Sequence, residues 1–475
     1  MVKKSKRQKR IDSCDILLPS GIYERSDIVV QSIIRVTRLL LPVLALCVTL
    51  GVMIRAFRRR PAHGFGHRPW FLFLALTLFG VMIALCITNE TWWTEPLTLM
   101  LFIAFLAVQW MSFVFAGRGG MRAELTGFFL TDLGLMVAAL NDTGAFHTQL
   151  ICVAAGIAGF YILRFFLRNP AFMEYLRIPA AVCCLGLLVA CLIFADPVND
   201  SKSWITIAGF TFQPSEIAKV CYVLAAAIPE RKRGGFKELL IFTVFSAASV
   251  LCLVVMNDLG SAVVFFCGFL AAAAMRKWGY PAAAAGLLAG GGGGYLALNL
   301  SGRAAGRFAT WGKAWEFANE GGYQQTRAMA AAASGGLLGL GVGQGWLRDV
   351  YAASTDLVFC VICEELGLIV AICAILMIFL TCVQAVFAAR RGRSPYLVSC
   401  ACIAAMILAI QAALNALGSV DILPFTGVTF PLISQGGTSA MTCWWLLAFT
   451  GTEFMPAFHA EEEEETPSEE EVEEE

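Results

Sequence analysis

The chain has 475 residues, of which 58% are hydrophobic and 15% charged, with 35 Lys and Arg balancing 35 Asp and Glu. Together with a mean hydropathy of +0.71, this excludes a water-soluble globular class and points to membrane helices. The neutrality is misleading, because eleven of the last fifteen residues are Glu and the remainder carries +11.

In chain order, thirteen apolar segments stand out. Their approximate cores are 39–54, 69–88, 96–115, 125–140, 149–163, 178–195, 214–229, 239–256, 259–275, 279–298, 357–388, 396–418 and 431–451. Most approach the roughly 20 residues that cross a ~30 Å hydrocarbon layer. Lipid-facing backbone must hydrogen-bond within helices, so an all-α polytopic membrane protein is expected. Segment 39–54 is short and contains Pro42; spanning and re-entrant placements both stand, giving twelve or thirteen spans. The basic stretch Met1 to Arg10 is followed by more than twenty mixed residues before the first apolar run, so no cleavable signal sequence is expected. Most of the seventeen cysteines lie inside apolar runs, where they act as small hydrophobes.

Loops 55–68, 117–124, 164–177, 230–237, 276–277 and 389–394 hold nineteen Lys and Arg. The alternate loops 89–95, 141–148, 196–212, 257–258 and 419–430 hold one, Lys202. By the positive-inside rule the C-terminus is cytoplasmic, and loop 300–354 faces outward together with Trp92, Trp93 and Trp204. The basic residues among Lys3 to Arg10 run against this register if 39–54 spans.

Several motifs interrupt the apolar pattern. Gln213-Pro214-Ser215-Glu216-Ile217-Ala218-Lys219 opens a helix with Pro in its first turn. Glu216 and Lys219 are three apart, on one face, and read as a structural ion pair. Asp258 in Asn257-Asp258-Leu259-Gly260-Ser261 suits a helix cap. Loop 300–354 is long enough to be functional. Arg303, Arg307 and Lys313 there suit a phosphate-bearing headgroup, although interfacial anchoring explains them equally well. The glycine-rich run Gly335 to Gly345 follows no βαβ strand, so it reads as a turn or close backbone approach rather than a nucleotide loop. Asp356, Glu364 and Glu365 place three acids at the mouth of the apolar run 357–388. Carboxylates at membrane depth cost about 2.5–3.5 kcal/mol each and mark functional sites or ion pairs. Phe430-Pro431-Leu432-Ile433-Ser434-Gln435-Gly436-Gly437 brings polar backbone to membrane depth, which requires a cavity or protein cover.

In order and spacing these elements resemble the SEDS family (shape, elongation, division and sporulation; RodA, FtsW and SpoVE-like). The pieces are Trp204, Gln213–Lys219, Asn257–Ser261, Gly322-Tyr323-Gln324, Gly335-Gly336, Thr355-Asp356-Leu357, Glu364-Glu365-Leu366-Gly367 and Pro431–Gly437. The resemblance implies a ten-helix catalytic core over 125–455 that includes outward loop 300–354. Residues 1–124 then carry the basic N-terminus with two or three additional membrane helices, and 456–475 form an acidic tail whose composition predicts disorder.

The resemblance also implies an inverting peptidoglycan glycosyltransferase that polymerises lipid II at the outer face of a bacterial cytoplasmic membrane, for elongation, division or sporulation. Asp356 matches the family's essential acid, and an ionised carboxylate beside an outer cavity suits a general base. Trp204, Arg303, Arg307, Lys313, Gln324, Ser434 and Gln435 are the substrate-binding candidates. Glu216, Lys219, Asp258, Glu364 and Glu365 are the structural or cavity charges. Arg303, Arg307 or a divalent cation (Mg or Mn) is expected to neutralise the leaving pyrophosphate, with no organic cofactor. A class B penicillin-binding protein and membrane lipids are the expected partners, with no nucleic acid. A lipid II flippase and a non-enzymatic scaffold for a transpeptidase are the rival readings. One departure is local: the family's Pro-Glu pair and His before Thr-Asp are replaced by Tyr351-Ala352-Ala353-Ser354.

Overall fold

The computed structural model describes residues 20–57, 68–88, 94–115, 122–198, 201–207, 210–229, 235–300, 302–391 and 394–450. The basic N-terminus, the acidic tail and the Arg303 side chain lie outside the described residues. Eight helices among those described have the length and apolar character to cross a membrane, and the protein is a polytopic all-α membrane protein.

Three helices come first: α1 (Ser20–Phe57), α2 (Arg68–Thr88) and α3 (Pro96–Phe115). Segment 39–54 is part of continuous α1, whose stretch Ile34–Ile54 is long and apolar enough to span; Pro42 does not break the helix into a re-entrant pair. Next come α4 (Arg122–Asn141), α5 (Thr143–Phe166), the short α6 (Pro170–Tyr175) and α7 (Arg177–Phe194). A three-stranded antiparallel sheet then interrupts the helices, ordered β1 (Asp196–Val198), β2 (Ser201–Ile207), β3 (Phe210–Phe212). It follows a register in which Asp196 faces Trp204 and Thr206 faces Thr211. The second half holds α8 (Pro214–Ala226), α9 (Phe236–Val255), α10 (Leu259–Ala274), α11 (Gly279–Leu300), α12 (Gly302–Thr310) and α13 (Tyr323–Gly335). It closes with α14 (Val358–Glu365), α15 (Leu368–Arg391), α16 (Pro395–Ser419) and α17 (Gly437–Thr450).

Buried α4 forms the axis of the bundle, packed by α2, α5, α17, α15 and α1. The backbone of the 430–434 turn meets it at Gly134, where a Cβ would lie 2.8 Å from the Ile433 carbonyl oxygen. Trp444 of α17 fills the space between α4 and α5. Its Nε1 donates to Thr131 Oγ1 at 3.1 Å, and Phe128 and Phe160 meet its ring edge-on at 5.0 and 5.5 Å. The apolar run 357–388 is not one helix: Gly367, at φ 92°, turns the chain between α14 and α15. Only α15 has spanning character, so Glu364 and Glu365 sit before the span rather than within it.

Buried ionisable groups are ion-paired or hydrogen-bonded. Lys219 Nζ lies 2.7 Å from Glu216 Oε2, and Thr442 Oγ1 donates to the same oxygen at 3.1 Å. Asp132 on α4 accepts from Thr77 of α2 at 2.5 Å and from Gln109 of α3 at 3.0 Å. At the bundle end opposite Asp356, Glu238 accepts from Arg177 at 2.8 Å and from Arg276, whose guanidinium lies 3.7 Å from the Phe242 ring centroid. Breaking a buried pair while leaving one charge behind costs about 3–5 kcal/mol. Glu216→Gln, which strands Lys219, should therefore lower the melting temperature of the detergent-solubilised protein or abolish its accumulation. An unchanged melting curve would show the pair to be dispensable.

Candidate active site

Asp356 stands on a tight turn at the start of α14. The turn folds on itself through Thr355 N and Asp356 N, which donate to the Ala352 carbonyl at 3.2 and 2.9 Å, with Ala352 in the left-handed region at φ 59°. The half-buried carboxylate faces Gly427, in the segment between α16 and α17. A Cβ on Gly427 would lie 3.1 Å from Asp356 Oδ2 and 3.7 Å from a terminal nitrogen of Arg307. Gly427 also has φ 72°, a conformation open to glycine at little cost. Carboxylate and guanidinium thus converge on one point that carries no side chain.

Arg307 arrives on α12 and is anchored by an Nη1 bond to the Thr426 carbonyl at 2.9 Å. The chain after α12 is held by Asp421, which accepts from Gly312 N and Ala314 N at 3.1 Å each. Trp311 Nε1 adds a bond of 3.0 Å to the Ile422 carbonyl. The wall beneath the turn comes from α16: Asn415 Nδ2 donates to the carbonyls of Val428 at 2.8 Å, Asp356 at 3.0 Å and Thr355 at 3.4 Å.

The other predicted residues take distinct places. Ser434 is buried; its hydroxyl donates to the Thr355 carbonyl at 2.5 Å and accepts from Phe430 N at 2.8 Å. Gln435 N donates to the Ser354 carbonyl at 2.9 Å, and its Oε1 accepts from Asn141. Gln324 Nε2 donates to the Tyr351 carbonyl at 2.8 Å. These three are engaged with the Asp356 turn or its neighbours, and the Ser434 hydroxyl bonds backbone on both sides of the site. Lys313 is exposed beyond α12. Trp204 lies on the sheet, which is tied to the α9–α10 turn by a Lys202 N bond to the Met256 carbonyl at 3.1 Å. Asp258 caps α10 through Ser261 N at 3.0 Å and also accepts from Gln213 at 3.3 Å.

Glu364 and Glu365 staple the glycine-rich loop. Glu364 accepts from Trp346 N at 2.9 Å and Leu347 N at 3.0 Å, and Glu365 from Gly345 N at 3.1 Å and from Gly343 N. Among the described residues no group of three or more His, Cys, Asp or Glu is placed to hold a metal ion.

Residues 124–450 match the family model described as "Cell cycle protein", covering FtsW, RodA and SpoVE. The chain belongs to that family. The FtsW of Mycobacterium tuberculosis, named a probable peptidoglycan glycosyltransferase, is 30% identical over 334 residues, a match spanning 65% of this chain and 63% of that protein. The corresponding FtsW of Bacillus subtilis is 27% identical, with 66% and 83% covered. Among solved structures, a chain from a peptidoglycan synthase complex that coordinates polymerization and crosslinking superposes with a TM-score of 0.59 at 21% identity. It covers 71% of this chain and 97% of that one. RodA of Thermus thermophilus gives 0.52 at 22% identity, with 71% and 96% covered. These structures share the fold. The family match begins at α4, which leaves α1–α3 outside it.

Asn415, Asp421 and Asp132 were not among the sequence candidates. Each is a polar residue in or beside an apolar run, and for Asp132 intramembrane position alone was a usable signal. The Asp421 clamp has a direct consequence: Asp421→Ala removes the acceptor for two backbone N–H groups. Trypsin should then cut faster after Lys313, while the melting temperature of the bundle stays the same. An unaltered digestion rate would show that the clamp does not hold this segment.

Proposed function

We propose that this chain is an inverting peptidoglycan glycosyltransferase that polymerises lipid II, with Asp356 as its general base. The supporting observation is the convergence of the Asp356 carboxylate and the Arg307 guanidinium on the space above Gly427. The names of the family relatives, FtsW and RodA peptidoglycan glycosyltransferases, agree with it. In this reading the acceptor GlcNAc 4-hydroxyl oxygen attacks the donor MurNAc C1 from the face opposite the leaving group. The hydroxyl proton passes to Asp356, the C1–O bond to pyrophosphate breaks with its electron pair, and C1 inverts. Undecaprenyl pyrophosphate leaves as an anion. A guanidinium matches phosphate oxygens in a planar fork, which suits Arg307 to the developing charge; Lys313, exposed beyond α12, adds positive charge nearby.

The nineteen-to-one loop asymmetry supports an Asp356 face outside the cytoplasm and a cytoplasmic C-terminus. In a cysteine-depleted background, Glu320→Cys should react with an impermeant maleimide added to intact cells, and Arg168→Cys only after permeabilisation. The reverse pattern would overturn the orientation. The partner proposed for crosslinking is a class B penicillin-binding protein. The complex named for one structural relative, which coordinates polymerization and crosslinking, is consistent with that pairing.

Asp356→Asn keeps shape and hydrogen bonding but cannot take a proton. Polymerisation of lipid II by the purified variant in detergent should fall about 10²–10⁴-fold, with lipid II binding retained. Detergent removes any need for transbilayer movement, so activity there also excludes a pure flippase or scaffold. A well-folded Asp356→Asn variant working at the wild-type rate would end the assignment.

A further inference from the structure

We infer that Asn415 is a positioning residue for this reaction, one that fixes Asp356 against the Gly427 wall; the inference rests on the role proposed for Asp356. Asn415 lies near the end of α16 and is 2% exposed. Its single amide nitrogen reaches three carbonyls on two separate stretches of irregular backbone: Thr355 and Asp356 on one side, Val428 on the other. An amide has two N–H groups, so the 2.8 and 3.0 Å bonds to Val428 and Asp356 take the close geometry and the 3.4 Å contact to Thr355 is the weaker, shared one. The three acceptors also fix which way the amide points, since a carbonyl oxygen in that place would face three others. Asn415 Oδ1 is buried without a hydrogen-bond partner, a cost that the three-way clasp offsets.

The clasp has a chemical consequence because of what adjoins its anchor points. Val428 follows Gly427, and Thr426, on its other side, accepts the Arg307 bond. The Asp356 carbonyl belongs to the residue whose carboxylate would take the proton. One side chain therefore sets the separation between the base and the wall that carries the cation. Neither stretch is helical, so no repeating backbone ladder would restore that separation if the clasp were lost. Displacement of a reacting group by about 1 Å can cost 10²-fold in rate.

The test uses the full chain in detergent with lipid II as substrate, measuring kcat, KM and melting temperature. Asn415→Ala should lower kcat by about 10–100-fold and leave KM within about 3-fold, because the clasp touches the base turn and not the bulk of the donor. The same substitution is then made on the Asp356→Asn background. A residue that works by aiming Asp356 has nothing left to aim there, so the residual rate should fall by less than about 3-fold. An equal loss on both backgrounds would assign Asn415 to folding or substrate binding and overturn the inference. Asn415→Gln covers the case in which the alanine variant does not fold, since it keeps a buried amide one methylene out of place. It should retain most of the melting temperature and remain slow. A wild-type rate in Asn415→Gln would also overturn the inference. Asp356→Asn alone reports separately on the assignment of the base, so failure of that assignment is distinguishable from failure of the clasp.

Discussion

Backbone that leaves a helix inside a membrane protein must find its hydrogen bonds in the protein, because the hydrocarbon offers none. This constraint organises the whole Asp356 region. Three irregular stretches meet there: the glycine-rich loop before Leu347, the 351–357 turn and the 420–436 segment. Each is satisfied by side chains aimed from elements around it. Glu364 and Glu365 supply acceptors to four N–H groups of the loop. Asn415 and Ser434 supply donors to the carbonyls of the turn. Gln149 of α5 spans the last stretch, donating to the Ser434 carbonyl at 3.3 Å and accepting from Gly436 N at 3.2 Å. The polar residues needed to make the irregular backbone tolerable are the same ones that hold a carboxylate in place.

The two sides of the site differ in character as a result. The side of Asp356 is tied to the buried side chains of Asn415 on α16 and of Ser434, whose own backbone is held by Gln149 of α5. The side of Arg307 is tied through exposed or half-buried contacts, those of Asp421, Trp311 and Thr426. Exposed bonds compete with water and contribute less than buried ones. A firmly held carboxylate facing a more loosely held cation would suit the proposed reaction, in which a bulky lipid-linked donor must enter and a lengthening glycan must leave.

The apolar pattern made most of the bundle legible, since long runs such as those of α7, α9 and α16 leave only one economical backbone solution in lipid. It failed where local geometry decided the outcome. The 357–388 run looks uniform by composition, yet Gly367 in the left-handed region divides it. The small sheet over 196–212 is too short to show a clear period-two pattern. Ser434 and Gln435 are substrate-contact candidates by sequence because polar residues in a membrane-depth break signal either a ligand or irregular backbone that needs partners. The Ser434 hydroxyl bonds backbone and the Gln435 side chain bonds Asn141, and composition cannot separate bonding of that kind from contact with a ligand. Asn415 escaped notice for the opposite reason, as one amide within a long apolar run whose acceptors lie 59 and 13 residues away in the chain.

The boundary of the family match and the physical boundary of the bundle do not coincide. The match starts at residue 124, at the beginning of α4, as though α1–α3 were an appendage. Yet α4 is the most enclosed helix of the bundle, and α2 and α1 cover part of it. Asp132 on that helix finds its donors on α2 and α3, not in the core. Stripped of Thr77 and Gln109, a buried carboxyl would lose both partners, and each unsatisfied polar group of that kind costs on the order of 1–3 kcal/mol or more. The face of α4 that carries Asp132 would also meet lipid tails, where an acid is tolerated only when paired or lining a cavity. Asp132 and the three leading helices therefore form one unit, and in this chain the family-matched core is satisfied only with residues that the match leaves out.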